Sequence, residues 1–188
     1  MNSFLNQNAV LNLISKNDEK FLWEKHIFDS ISIEKFFEKY NLKNKKLSLL
    51  DIGTGGGFPA IPLALTYPDI KVTALDSIRK KINAIENIKN ELHIENLNTI
   101  CERAENISGS YDIITSRAVA PLKDIINYAM PLLAKGGYFV AYKSVKAAEE
   151  ISDAEKILKK YSAKVVDVIN YDLPLTENHT RNLVIITH

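Results

Sequence analysis

The segment Leu49-Leu50-Asp51-Ile52-Gly53-Thr54-Gly55-Gly56-Gly57-Phe58-Pro59 sets an acid and four glycines directly behind a short apolar run. Glycines permit the sharp turns and the close backbone approach that a small ligand needs. A second acid, Asp76, ends the strand-like segment 71–75 and stands 23 residues after Gly53. In nucleotide-binding α/β units an acid about 20 residues beyond the glycine loop binds the ribose hydroxyls. Asp76 is given that role, and the competing role, capping the helix that follows, falls to Ser77. Arg117 and Lys143 follow later strand-like segments. A guanidinium at such a strand end could clamp a carboxylate or a phosphate, with a structural ion pair as the alternative. His26, Asp29 and Ser30 lie three and four residues apart and share a helix face. A serine nucleophile needs an exposed elbow and an oxyanion site, which a helix interior lacks. Lining a pocket and forming a buried polar cluster are therefore the two roles open to these three.

An alternating α/β chain is needed to bring these groups together. Residues 21–40 form an amphipathic helical stretch free of Gly and Pro, and a charged loop, 41–46, leads into a first strand from Leu47. A short helix, 58–66, follows the glycines, with Pro59 tolerated in its first turn. Strand-like segments at 71–75, 97–101, 111–115 and 138–142 alternate with helical patterns at 78–92, 121–133 and 147–160. The last strands, 164–169 and 183–187, have no helix between them and pair antiparallel. Residues 1–46 thus form a helical N-terminal extension on a ligand-binding domain spanning 47–188.

Composition bounds the class. A 188-residue chain with 46% hydrophobic residues is one domain with a substantial core. No apolar run approaches the roughly 18 residues that cross a bilayer, and the start carries no basic-then-apolar leader. A single cysteine, Cys101, excludes an internal disulfide and a cysteine-rich metal site. Cys101 falls in a predicted strand and reads as a small buried hydrophobe. Cytoplasmic location and no metal are the expectations. The net charge of +1 argues against a strongly basic nucleic-acid binder but leaves room for a local patch.

The glycine loop departs from the dinucleotide fingerprint G-x-G-x-x-G, because Phe58 stands in the third glycine slot and Gly57 falls one place early. The resulting D-x-G-x-G-x-G resembles motif I of class I S-adenosylmethionine (SAM) methyltransferases. An acid at the strand end suits a ligand that carries a sulfonium and an ammonium but no phosphate. Five strand–helix units and a terminal hairpin also resemble the methyltransferase order rather than a six-strand dehydrogenase sheet. The resemblance implies an α/β, Rossmann-like fold: a seven-stranded, mostly parallel sheet with helices on both faces and a C-terminal antiparallel strand.

A narrower resemblance rests on several segments. Lys25-His26-Ile27-Phe28-Asp29-Ser30, the loop 51–62, Leu75-Asp76-Ser77, Arg103-Ala104-Glu105, Ser116-Arg117-Ala118, Tyr142-Lys143 and Arg181-Asn182-Leu183-Val184 together resemble the RsmG (GidB) family, from about Asn12 to the C-terminus. Ala60 departs from a glycine frequent there, and the N-terminal lead-in is shorter than the family's. The family methylates N7 of a guanine in small-subunit (16S) ribosomal RNA. The resemblance implies SAM as cofactor, S-adenosylhomocysteine as product, and 16S rRNA or the small subunit as partner, with the enzyme a monomer that uses no membrane. It places Asp51, Gly53, Gly55, Gly57, Phe58, Asp76, Ala104, Glu105 and Arg117 at the cofactor. Arg117 and Lys143 stand at the reacting end, and His26, Asp29, Ser30 and Ser116 line the pocket. For Phe58 a core role stays open, as does a solvated loop role for Glu105.

Guanine N7 carries a free lone pair and no proton, so attack on the methyl needs positioning and charge stabilisation but no general base. The slot after strand four reads Ser116-Arg117-Ala118, not the Asn-Pro-Pro-Tyr type used on amino groups, and no Pro-Cys nucleophile is present. Arg117, Lys143 and Arg181 near the sheet edge could grip phosphates around a splayed base. The clusters at 39–46 and 79–81 read as solvated faces. A SAM-dependent small-molecule methyltransferase and a non-enzymatic SAM-binding module remain alternatives, because both can lack the same motifs.

Overall fold

The computed structural model describes residues 1–177 and 179–188. The chain opens with helical pieces: α1 (Asn2–Leu11), α2 (Lys16–Glu19), a π-helical turn (Leu22–Phe28), α3 (Asp29–Ile31) and α4 (Glu34–Lys39). A single helix over 21–40 is not what forms. The π-turn and the break at Ser32 and Ile33 divide it, and the carbonyl of Lys25, inside the π-turn, accepts a hydrogen bond from the sheet edge. Asn12 ends α1 in a left-handed conformation (φ 49°), a role asparagine tolerates.

The sheet then alternates with helices: β1 (Ser48–Ile52), α5 (Ala60–Thr66), β2 (Lys71–Leu75), α6 (Arg79–Glu91), β3 (Leu97–Ile100), β4 (Tyr111–Arg117), α7 (Leu122–Ala129), β5 (Leu133–Lys143), α8 (Ala147–Asp153), α9 (Glu155–Lys160), β6 (Lys164–Leu173) and β7 (His179–Thr187). The strand order is β3-β2-β1-β4-β5-β7-β6. β1 pairs in parallel with β2 and β4, and β7 pairs antiparallel with β5 and β6. The seven-stranded, mostly parallel sheet expected from the sequence is therefore present.

Alternation along β1 divides the core. Leu49 joins Phe36, Phe37, Leu63 and Ile85 on one face, while Leu50 joins Ile114, Leu122, Ile126 and Phe139 on the other. A central strand buried on both sides reads as an unbroken apolar run, which is why it was visible in the sequence. In α6, Ile82, Ile85 and Ile88 are buried at helical spacing, but Ile78 and Leu92 are its half-exposed caps rather than part of the stripe. Ser77 does not cap α6. Helix α5 begins two residues later than the expected start, with Pro59 as its N-cap. Pro62 falls in the first turn, where the missing N–H has no helical acceptor to lose. The 147–160 helix breaks at Ala154 into α8 and α9.

Order reverses between β1 and β4, the place where open α/β sheets bind ligands beyond the carboxyl ends of their strands. The glycine loop, Asp76 and Arg117 all lie at that edge, following β1, β2 and the end of β4.

Candidate active site

The glycine loop is built from below. Register places Asp51 beside Thr115 of β4, and the Thr115 hydroxyl donates to Asp51 Oδ1 at 2.9 Å. Asp51 is wholly buried, and Oδ2 has no partner among the described residues. Burial pushes its carboxyl up to about 6, outweighing the neighbouring hydroxyls and Arg117, which pull it down. Asp76 holds the loop from the side: Oδ2 accepts the Gly55 N–H at 3.0 Å and Oδ1 accepts the Ile78 N–H at 2.9 Å. The acid expected at the ribose makes a turn of its own and ties β2 to the loop. Gly53 and Gly55 have φ of +69° and +59°, and a Cβ added at Gly55 would meet nothing closer than 3.9 Å. At Gly55 the bare backbone faces open space, whereas a Cβ on Gly53 would meet Val119.

A two-lobed cleft opens over the loop. One lobe, about 990 Å³, is walled by Gly53, Gly55, Phe58, His26, Asp29, Arg117 and Lys143 among others. The other, about 420 Å³, is walled by Gly53, Asp76, Ala104 and Glu105 among others. Gly53, Lys81, Ala118 and Val119 border both. Four of the expected site residues fall short of either wall. Asp51 and Ser116 are buried beneath the edge. Ser30 is buried with its hydroxyl donating to the His26 carbonyl. Gly57 (φ +90°) packs against Ile61, so its glycine serves helix packing and turn geometry rather than ligand approach. These four support the cleft from behind.

Arg117 is the hub of the larger lobe. Its Nη1 donates to Asp29 Oδ2 at 2.8 Å and to the Lys25 carbonyl at 3.1 Å, and Nη2 meets His26 Nδ1 at 3.2 Å. The guanidinium also lies 5.5 Å from the centre of the Phe58 ring. Asp29 in turn accepts from the buried Tyr171 hydroxyl of β6 at 2.6 Å, and Tyr142 of β5 donates to the Ser30 carbonyl at 2.7 Å. The polar residues of the π-turn and α3 therefore bolt the N-terminal segment to the ends of β4, β5 and β6. Arg117 makes the structural ion pair, and its side chain also borders the cleft. Burial, and then Arg117, lower His26 to about 4, so its ring is neutral at pH 7. Arg117 can only donate, so Nδ1 accepts and the proton sits on Nε2, which is buried without a partner among the described residues.

Lys143 is not free at the cleft. Its Nζ donates to the Ala120 carbonyl at 2.9 Å and to Glu150 Oε2 at 2.7 Å, and the side chain is 10% exposed. The same Glu150 oxygen accepts the Leu122 N–H at 2.7 Å. Lys143 thus fixes the loop after β4. Phe58 is both core and cleft wall, stacked among Phe4, His26 and Arg117. Cys101 lies just past β3 and is half-buried. Tyr171, Thr115, Glu150 and Val119 escaped the sequence reading. Long-range pairing in the sheet brings Tyr171 and Thr115 to the site, Glu150 reaches Lys143 from the first turn of α8, and Val119 is an ordinary apolar residue without a pattern. No group of three or more metal-ligating side chains forms among the described residues, and no helix there is long and apolar enough to cross a membrane.

A positive-φ glycine loop at the switch point, an acid at the end of β2 and a two-lobed cleft are the arrangement expected of a class I SAM-dependent methyltransferase. Solved structures agree in fold. A SAM-dependent methyltransferase from Aquifex aeolicus superposes with a TM-score of 0.67 at 17% identity, over 92% of this chain and 96% of that one. M. jannaschii TYW2, in complex with AdoMet, gives 0.63 at 16% identity, over 83% and 75%. The family described as rRNA small subunit methyltransferase G (GidB) matches residues 1–184. Ribosomal RNA small subunit methyltransferase G of Staphylococcus saprophyticus is 36% identical over 183 residues, 95% of this chain and 75% of the relative. The Lysinibacillus sphaericus protein of the same description is 36% identical over 177 residues, 91% and 73%. The chain belongs to this family, and is a SAM-dependent methyltransferase acting on ribosomal RNA.

Proposed function

We propose that the chain methylates N7 of a guanine in 16S RNA of the small subunit, as a cytoplasmic monomer. Residues 47–188 form the methyltransferase domain and 1–46 an extension docked on it. When bound, SAM supplies a methyl group made electrophilic by its sulfonium. The residues present fit that ligand. Asp76 borders the lobe for the ribose, with Ala104 and Glu105 beyond it for the base. Gly53 and Gly55 offer backbone, and Arg117 and Phe58 wall the methionine end.

The observation that carries the N7 reading is the commitment of the acceptors deep in the larger lobe. Asp29 has both oxygens engaged, by Tyr171 and Arg117. His26 Nδ1 faces Arg117, and Glu150 holds Lys143 and the Leu122 amide. The unpaired Glu149, Asp153 and His179 of the same wall are exposed at its rim, and among the described residues no base deep in the lobe is free to take a proton. A nucleophile that must lose one, such as an amino group or hydroxyl, is poorly served, whereas N7 needs none. The chain's task is then to orient the base against the donor and to exclude water. On the outer rim, Lys123, Lys146 and Arg181 make no ion pair among the described residues. Interspersed with the exposed Glu149 and Asp153 of the same wall, they are the cations placed to hold phosphates around the target.

The test incubates the protein and labelled SAM with unmethylated small subunits, with naked 16S RNA and with a pool of small metabolites. Label on small-subunit RNA, followed by strand scission at that guanine after borohydride and aniline, is expected. Label confined to small metabolites, or RNA label resistant to scission, would overturn the reading.

A further inference from the structure

The loop after β4 holds an apolar side chain where a ligand must pass. Ala118 adopts a left-handed conformation (φ +56°), which disfavours any residue with a Cβ. Val119, next to it, is 42% exposed, yet it leans inward over the glycine loop. A Cβ built on Gly53 would meet Val119 Cγ2 at 2.5 Å. The Gly53 face is therefore covered by valine, while Gly55 beside it stays open. Val119 and Gly53 both border the two lobes. A ligand that reaches from Asp76 and Ala104 in one lobe to Arg117 in the other crosses over Gly53, and Val119 stands on that line.

Both ends of the strap are tied. At one end the Arg117 side chain is held by Asp29 and the Lys25 carbonyl. At the other, Lys143 holds the Ala120 carbonyl, and Glu150 joins Lys143 to the Leu122 amide. Between those anchors only Ala118 and Val119 are left to readjust. Relaxing the left-handed Ala118 would swing Val119 off Gly53.

We propose that Val119 is a wedge across the cofactor track, and that cofactor loading lifts it and moves Ala118 and Val119 toward the side where the target base enters. The wedge rests on the SAM reading of the cleft. It makes cofactor the first ligand to bind and couples its arrival to the shape of the wall facing RNA. Lys143 and Glu150 are then positioning residues, acting through the strap they anchor.

The test is calorimetric titration of the full-length protein with SAM and with S-adenosylhomocysteine, for the native chain and for Val119→Ala and Val119→Ile. Val119 is half-exposed, so both variants keep the core, and circular dichroism verifies the fold. A wedge lowers apparent affinity by the fraction of molecules in which it is lifted. Val119→Ala should therefore bind about threefold or more tightly, and Val119→Ile more weakly. Small-subunit RNA affinity should rise on adding S-adenosylhomocysteine in the native chain, and rise less in Val119→Ala, because the coupling is reciprocal. If Val119 were merely a contact for bound cofactor, Val119→Ala would bind more weakly, and that sign overturns the wedge. Unchanged affinity in both variants overturns it too. Silence of the native chain toward both ligands would instead overturn the SAM reading, and the wedge with it.

Discussion

Replacing Arg117 by methionine should unfasten the N-terminal segment and silence the enzyme, and the two effects can be separated. The guanidinium is 13% exposed and Asp29 6%, so their 2.8 Å pair is buried. Removing one partner of a buried pair leaves a charge uncompensated and costs about 3–5 kcal/mol. Arg117→Met also takes donors from the Lys25 carbonyl and His26 Nδ1. Much of the loss comes from the stranded Asp29 carboxylate. Adding Asp29→Asn should then return about 1–3 kcal/mol, because contacting residues couple by that amount. Against the usual total of about 5–15 kcal/mol for a domain, these are large shifts. Urea unfolding of the native chain, both single variants and the double variant gives the cycle, with equal slopes required for comparison. Methyl transfer should stay absent in the double variant, because restoring the fold does not restore a guanidinium to the cleft. A loss below about 1 kcal/mol for Arg117→Met, or a double variant as unstable as the sum of the singles, would refute the reasoning.

Three further outcomes are expected. Asp51 is held near 6 by burial, above its ordinary 3.8. The folded state therefore binds the proton more tightly than the unfolded one, and stability from this group falls as pH rises from about 4 to about 6. The fall is on the order of 3 kcal/mol, Asp51→Asn should remove it, and an unchanged pH slope in that variant would contradict the account. His26, lowered to about 4, should show a neutral ring with its proton on Nε2 in nitrogen NMR at pH 5.5, and protonation near 6.5 would contradict this. Lys143→Met should speed amide exchange at Leu122 and raise the KM for SAM more than it lowers kcat. A variant that lost only kcat would make Lys143 a direct participant instead.

What the sequence made legible was local. β1 was readable because a strand buried on both faces carries an apolar run, here closed by Asp51 and Ile52, and the loop because Gly53 and Gly55 must turn left-handed. Asp76 was found by spacing. Long-range register was invisible. Nothing near Asp29 in the chain announces Tyr171, which arrives from β6 at the sheet's edge. Ala120, 23 residues before Lys143, lends its carbonyl without any local signal, whereas Glu150 lies only seven residues on and was still not read as its partner. Glycine spacing also does not say which glycines serve ligand and which serve packing. Gly57 reads like Gly55 in sequence, but a Cβ there would strike Ile61 Cδ1 at 2.4 Å. The 21–40 stretch has helical spacing throughout, and its break follows from where Arg117 and Tyr142 pull the Lys25 and Ser30 carbonyls.

On the proposed function, the cleft over Gly53 delivers a methyl group to guanine N7 in small-subunit RNA. Nucleoside mass spectrometry of that RNA, after incubation with the protein and methyl-deuterated SAM, tests it most directly. Deuterium in 7-methylguanosine alone, lost in Arg117→Met, is the predicted result. Deuterium in any other nucleoside, or none in RNA while SAM is consumed, would contradict it.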